Sequence, residues 1–369
     1  MNKEKNIKVL VFPKDVNPYQ ELLYVPLRKK GVVVSYLQPP FHSHTLWLLF
    51  LFIPQIIYFR LKGYTIFHLH WLYPFTFPFM NNWFSRLFFT LYVPFCLLFI
   101  KLIGFKLVWT VHNLTSHEKL FLNDRYISFL LAHLADIKIV HSKNTIPLMK
   151  ELDYNTRNLH VIPLGNYIGY YPNTVTRQDA RKKLGIGQVG IAFLFFGLIR
   201  SYKGILELTK EFSSLLGKNK EIKLLIAGEC QDKNTRDYLN KFQGKNRNQV
   251  FLALYHIYDE EVQYYFDSAD VVIFPFKNIT TSSSAILAFS FGKPIIAPLI
   301  GNIVDFPRDS GIYYNREEKD GLKNAIIKSI KRKNNLPEMG RKAYDYAKIL
   351  SWKESARKTY DVFKSLITE

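Results

Sequence analysis

The chain has 369 residues, 48% hydrophobic and 22% charged, with 18 glycines and 17 prolines. That length supports two ordinary domains, and that composition excludes collagen-like, low-complexity and disordered classes. Fifty basic against thirty acidic residues leave a formal charge of +20, a surface that seeks nucleic acid, anionic lipid or phosphorylated substrates.

Cys96 and Cys230 stand far apart in unrelated contexts, which gives neither a disulfide framework nor metal-ligand spacing and fits a reducing compartment. The N-terminus, MNKEKNIKVLVF, runs from a charged tail directly into a β-like stretch without a small-residue cleavage site. The expectation is a cytoplasmic protein.

In chain order, apolar runs predict buried parallel strands at Ile7–Phe12, Val32–Leu37, Tyr64–His70, Lys106–His112, Asp136–His141 and Leu159–Pro163. Two longer apolar stretches interrupt them, Leu46–Phe59 around Pro54 and Leu87–Ile100 around Pro94. Each is shorter than the ~20 residues of a spanning helix and reads as a buried or interfacial helix. Between Glu21 and Glu118 lie 96 residues without one carboxylate; at the overall rate about 8 would be expected. This aromatic, acid-free segment carries Arg60, Lys62, Arg86, Lys101 and Lys106 beside its apolar runs. Such a pattern suits an anionic membrane surface; two core helices of a soluble domain remain the alternative.

After Tyr170, Tyr171 and Pro172 the chain turns polar (NTVTRQDARKK), which reads as a linker. A second strand set follows at Ile191–Phe196, Ile222–Ala227, Gln249–Leu254, Val271–Phe274, Pro294–Ala297 and Gly311–Tyr314. Two doubly wound α/β domains are thus predicted, 1–170 and 171–349, with a final helix at about 350–369 packing back on the first. Ligands of such sheets bind at the carboxyl ends of the strands, which places the expected site in a cleft between the domains.

In the second domain, Gly197, Arg200, Lys203 and Gly204 follow the first strand and precede an amphipathic helix. The glycine admits close approach to the backbone, and the two cations would sit at a helix N-terminus, the makings of a diphosphate cradle. Ser282, Ser283 and Ser284 open a short helix that Gly292 and Pro294 close; they offer caps and free N–H groups to phosphate without a metal. In the first domain, His112 stands at a strand exit, followed by Asn113, His117 and Glu118. Imidazole suits a base that deprotonates an acceptor hydroxyl, and Glu118 is the rival for that role. His70 is read as facing the cleft with His68 turned the other way. Asp15, Asn17, Tyr19 and Gln20 follow the first strand and are candidates for binding acceptor hydroxyls, or a plain capped loop. The histidines form no spaced metal set.

The runs FFGLIRSYKG (195–204), LLIAGE (224–229), IYDEEVQYYFDSADVVIFPF (257–276), TSSSAILAFSFGKPIIAP (281–298) and SWKES (351–355), with HLHW, WTVHNLTSHE, IVHS and VIPLGNY in the first domain, resemble the group 1 nucleotide-sugar glycosyltransferases. The resemblance implies the GT-B architecture, two Rossmann-like α/β domains facing a cleft, and places His112 in the site. It also implies a nucleotide-sugar substrate and no further cofactor. One departure stands out. Many members carry two glutamates eight positions apart near the phosphate-binding helix, and alignment puts Thr280 and Ala288 there. The usual ribose carboxylate is therefore missing, and Glu229 is the alternative partner.

The expected function is transfer of a sugar from a UDP- or GDP-sugar to a polyprenyl diphosphate-linked oligosaccharide during surface polysaccharide or exopolysaccharide synthesis, by an enzyme held peripherally at the inner face of the cell membrane. A soluble or protein acceptor is the alternative. Nucleic-acid binding, suggested by charge alone, has no stacking platform or known binding signature behind it.

Overall fold

A computed structural model describes every residue except 1–5, 16, 41–43, 78–81, 117, 218 and 369, so His117 lies outside the described residues. Two compact units result: Met1–Gly165 with Ser351–Glu369, and Asn166–Leu350.

The first unit is built on parallel strands β1 (Lys8–Phe12), β2 (Val33–Tyr36), β3 (Ile66–Leu69), β4 (Lys106–Thr110), β5 (Ile137–Val140) and β6 (Leu159–Val161), in the spatial order β2-β1-β3-β4-β5-β6. The second carries β7 (Ile191–Phe196), β8 (Ile222–Ala227), β9 (Val250–Ala253), β10 (Val271–Ile273), β11 (Ile295–Pro298) and β12 (Gly311–Tyr314), ordered β12-β11-β10-β7-β8-β9. Every predicted strand is present within two residues, and β1, β3, β5, β8, β10 and β11 are buried nearly throughout. Strands covered on both faces read as continuous apolar runs, which is why the pattern was legible.

The C-terminal helix Trp352–Thr368 belongs to the first unit. Ser355 Oγ donates to Pro163 O (2.7 Å), Phe363 packs on His68 (5.4 Å between rings), and Lys30 Nζ stands 5.4 Å from the Tyr360 ring.

Two expectations are corrected. The apolar stretches were read as short, yet the helices run His44–Leu61, 18 residues, and Trp83–Leu102, 20 residues. Flanking polar residues are absorbed into the helical turns instead of ending them. By length and composition both could cross a membrane, but only 22% and 33% of their apolar windows are buried. The buried stripes, Leu48, Phe52 and Ile56 on one and Phe89, Val93, Cys96, Leu97 and Ile100 on the other, belong to the core of the sheet domain, and Tyr92 Oη ties the two helices by donating to Leu48 O (2.5 Å).

The polar stretch read as a linker contains the helix Arg177–Leu184, capped by Thr176 at its start and by Gly185 at its end. Arg181 inside it is fully buried. Its guanidinium donates to Ser268 O (3.0 Å), Gln188 O (3.1 Å), Gly190 O (3.2 Å) and Asp270 Oδ2 (2.7 Å). Asp270 Oδ2 also accepts the Ala192 N–H (2.7 Å), so a buried charged side chain anchors this helix in the stretch read as a linker.

Candidate active site

In the second unit, β7 ends at Phe196 and the chain turns at Gly197, whose φ of +107° lies where side-chain-bearing residues are strained. A Cβ there would stand 3.2 Å from Lys203 Nζ and 3.6 Å from Ser284 Oγ. Three residues from the two separate donor motifs thus converge on one point. Burial first, then the charge of Arg200, pushes the Lys203 ammonium down to about 8. A cation held in so unfavourable a setting is stabilised by any anion that arrives.

The remaining donor candidates divide. Gly204, at φ +75°, closes the turn Ser201–Lys203 and presses on the Pro275 carbonyl; it shapes the loop and offers no ligand group. Ser282 is buried, caps the helix Ser283–Ser290 by accepting from Ala285 N (3.2 Å), and donates its own N–H to Asn302 Oδ1 (2.8 Å). Ser283 is hydrogen-bonded to Tyr167. The Ser284 hydroxyl, beside Gly197 and Lys203, and the first-turn N–H groups are what an anion can meet. Glu229, partly buried, accepts from Gln231 Nε2 (3.0 Å), while its carbonyl accepts from Ile199 N (2.9 Å).

In the first unit, His68, His70, His112 and His141 form one cluster with Tyr24. His68 and His70 point the same way, with rings 4.2 Å apart, because residues two apart on a strand share a face; the expectation that they alternate was wrong. The Tyr24 hydroxyl bonds both His68 Nδ1 and His70 Nε2 at 2.7 Å. His70 Nδ1 meets His112 Nε2 (3.1 Å), and His68 Nε2 meets Thr110 Oγ1 (2.8 Å). The His112 ring stacks on Trp71 at 4.3 Å and 14° and takes the Tyr19 ring edge-on at 4.8 Å. Burial holds His70 and His112 well below the ordinary imidazole range, with their histidine neighbours adding to it, and brings His68 to about 3 and His141 to about 4. The cluster is therefore neutral at physiological pH.

The acceptor candidates are more committed than the sequence suggested. Tyr19 is buried between His112, His141 (5.6 Å) and Trp352 (5.4 Å). Gln20 is 2% exposed, donating to Pro13 O (2.7 Å) and accepting from Asp15 N (3.0 Å); it braces the loop and is unavailable to a sugar. Asn17 caps the helix Pro18–Lys29. Asp15 accepts from Asn17 N (2.7 Å) and from Tyr73 Oη (2.6 Å). His70 is 2% exposed and reaches no further than His112 and Tyr24. Glu118 is exposed and belongs to none of these bonds.

Tyr24, His141, Trp71 and Thr110 were not singled out from sequence. The two-residue period of HLH was the available signal for the shared face. Tyr24 carried none, since its role depends on one helix crossing β3.

A groove of about 620 Å³ lined by Arg177, Asp270, Lys293 and Lys333 lies at the starts of β7 and β11, the end of the sheet opposite the glycine turn. Its Arg177 is ion-paired to Asp270 (2.9 Å). Among the described residues no three His, Cys, Asp or Glu side chains are grouped to hold a metal ion.

Two doubly wound parallel sheets, one bearing a cation and glycine turn against a serine-headed helix, make up the GT-B architecture. Residues 190–332, in the second unit, match the model of the family described as Glycosyl transferases group 1, and the two parallel α/β sheets give the chain the GT-B fold. It is similar to D-inositol 3-phosphate glycosyltransferase of Corynebacterium aurimucosum, 23% identical over 238 residues, 62% of this chain and 56% of that protein. The match thus spans little more than half the length of that curated relative.

Among solved structures it is similar to sucrose-phosphate synthase of Thermosynechococcus elongatus, with a TM-score of 0.75 at 16% identity, covering 99% of this chain and 100% of the other. Anabaena HepE in complex with UDP gives a TM-score of 0.71 at 14% identity, covering 97% and 100%.

Proposed function

We propose that the protein transfers a sugar from a UDP- or GDP-sugar to a polyprenyl diphosphate-linked oligosaccharide at the inner face of the cell membrane, in the assembly of a surface polysaccharide or exopolysaccharide. Lys203, Arg200, the Ser284 hydroxyl and the N–H groups of the serine helix neutralise the donor diphosphate in place of a metal ion, the arrangement an anion finds at a helix N-terminus beside partly buried cations. His112 is the catalytic group of the first unit. HepE, described in complex with UDP, supports a uridine donor.

The observation that carries the acceptor assignment is the exposed apolar face of the two helices. Phe50 is 66% exposed, Phe84 73% and Leu102 83%, and Leu46, Tyr58, Leu61, Trp83, Leu91, Phe95 and Leu98 are exposed with them. The opposite stripes are held in the domain core, which supports helices lying along a membrane surface over helices that span it. Aromatic and aliphatic side chains on a lysine- and arginine-flanked face are the makings of an interfacial anchor. Of the flanking cations, Lys101 is spent on Asp136 (2.6 Å) and Arg60 donates to Ile103 O (2.8 Å); Lys62 is exposed. The apolar face therefore contributes more than the sequence alone implied.

A soluble phosphorylated acceptor is the second reading, favoured by the names of the inositol-phosphate and sucrose-phosphate relatives. Flotation with vesicles of anionic and of neutral phospholipid separates the two. Recovery with anionic vesicles that is lost in Phe50→Asp/Phe84→Asp supports the lipid-linked acceptor, and absence of flotation from either vesicle overturns it.

A further inference from the structure

The bonds around Tyr24 form one unbroken chain: Thr110 Oγ1, His68, the Tyr24 hydroxyl, His70, His112. Each neutral imidazole carries one N–H and one bare nitrogen. A hydroxyl between two histidines donates to one and accepts from the other. The direction of a single bond therefore fixes all the others, and only two arrangements of protons are possible.

In the first arrangement Thr110 donates to His68 Nε2, His68 Nδ1–H to Tyr24, Tyr24 to His70 Nε2, and His70 Nδ1–H to His112 Nε2. His112 is left with its proton on Nδ1. In the second every bond is reversed, and His112 Nδ1 is bare.

The end of the chain chooses between them. Thr110 is 0% exposed, and His68 is the sole hydrogen-bond partner of its hydroxyl among the described residues. Reversal would leave the buried Thr110 O–H with no acceptor, which costs the desolvation of a donor with no return. His68, also 0% exposed, has both nitrogens accounted for and cannot supply an alternative. His141 cannot interrupt the relay, because its Nδ1 bonds Ile162 O (2.8 Å) and its Nε2 is a buried atom without a partner among the described residues.

We infer that Tyr24 and Thr110 are positioning residues that hold His112 as the Nδ1–H tautomer, so that His112 meets its ligand as a hydrogen-bond donor and not as a base. This deepens the proposed function and rests on it only for the identity of the ligand, a hydroxyl or phosphate oxygen of the sugar substrates; the tautomer itself is a property of the free protein. The expectation of a base at this position is revised for a reason no sequence displays, since the proton is placed by Thr110, the last residue of β4, acting through three other side chains.

Nitrogen-15 spectra of histidine-labelled full-length protein at neutral pH read the tautomer directly. His112, assigned by its loss in His112→Ala, is expected to show a protonated Nδ1 and a bare Nε2; the opposite pattern overturns the inference. Tyr24→Phe keeps the ring and removes the link, and Thr110→Val removes the donor that polarises the chain. Both are expected to give His112 a mixed-tautomer spectrum and to lower kcat about tenfold with little change in donor KM. A wild-type His112 spectrum in both variants overturns the relay even if the enzyme is active, and the labelled spectra decide the matter even if no sugar donor is found.

Discussion

Lys203 Nζ occupies the space beside Gly197 where a side chain would begin, 3.2 Å from that glycine's missing Cβ. The two residues lie on opposite sides of the turn after β7, so the partly buried cation is delivered to bare backbone. Gly197→Ala is expected to cost both stability, from the φ of +107°, and at least tenfold in UDP affinity, from displacement of the ammonium. Calorimetry of UDP binding with a thermal melt of the same variant checks both; unchanged affinity would remove Gly197 from the donor site.

Lys203→Ala and Arg200→Ala are each expected to weaken UDP or GDP binding tenfold or more, since a charge-assisted bond contributes about 1.5 to 3 kcal/mol. The pH dependence has a definite sign. Lys203 titrates at about 8 in the free protein, and a bound diphosphate raises that value. The Lys203 contribution to affinity is therefore complete below about pH 8 and falls above it, with proton uptake on binding in that range. Titrations in buffers of different ionisation enthalpy measure the uptake, and its absence in Lys203→Ala identifies the group.

His112→Ala is expected to lower kcat by about 10² to 10³-fold, the cost of a lost hydrogen-bond donor at the reacting groups, while sparing nucleotide binding, because it belongs to the first unit and the diphosphate residues to the second. Glu118→Gln, an exposed residue, is the control. Near-normal turnover in His112→Ala with loss in Glu118→Gln would transfer the catalytic role to the carboxylate.

The buried histidines make stability depend on acid. His68 and His141 are pushed to about 3 and about 4, and His70 and His112 are also lowered, whereas the unfolded chain binds protons near 6.5. The unfolded state takes up more protons below that pH, so stability is full above about pH 6.5 and lost as pH falls toward 4. The slope approaches ~1.4 kcal/mol per pH unit for each histidine involved. Urea melts between about pH 7 and pH 5 read it, and a flat profile would show the cluster open to water.

Arg181→Ala is expected to destabilise by about 3 to 5 kcal/mol, the penalty for breaking a buried pair, through loss of its bonds to Asp270 and three carbonyls. Chemical denaturation checks this, and a loss below about 1 kcal/mol would mean the helix Arg177–Leu184 holds by other contacts.

The strands, the order of the two sheets' elements and the donor motifs were written into local sequence. Buried parallel strands need runs such as Ile191–Phe196, and the turn after them needs Gly197, so composition and position reveal both. Helix length was less legible. Tryptophan, serine and arginine at 83–86 are compatible with a helix or with its flank, and packing on the sheet extends the helix over them.

What sequence by itself determined, then, is the periodicity of the chain and the residue types at each strand exit: where a glycine turns, where cations follow it, where serines head a helix. Tertiary structure alone decided which of those groups remain available. Ser282 and Gln20 went to capping and bracing and Arg181 to the interior, because hydrogen-bond partners distant in sequence had to be satisfied once water was excluded, and Lys203 was left partly buried beside Gly197. Tyr24 shows this most plainly: its own position in the helix Pro18–Lys29 gives no hint of a role, and its hydroxyl joins two histidines 44 and 46 positions away only through the tertiary fold.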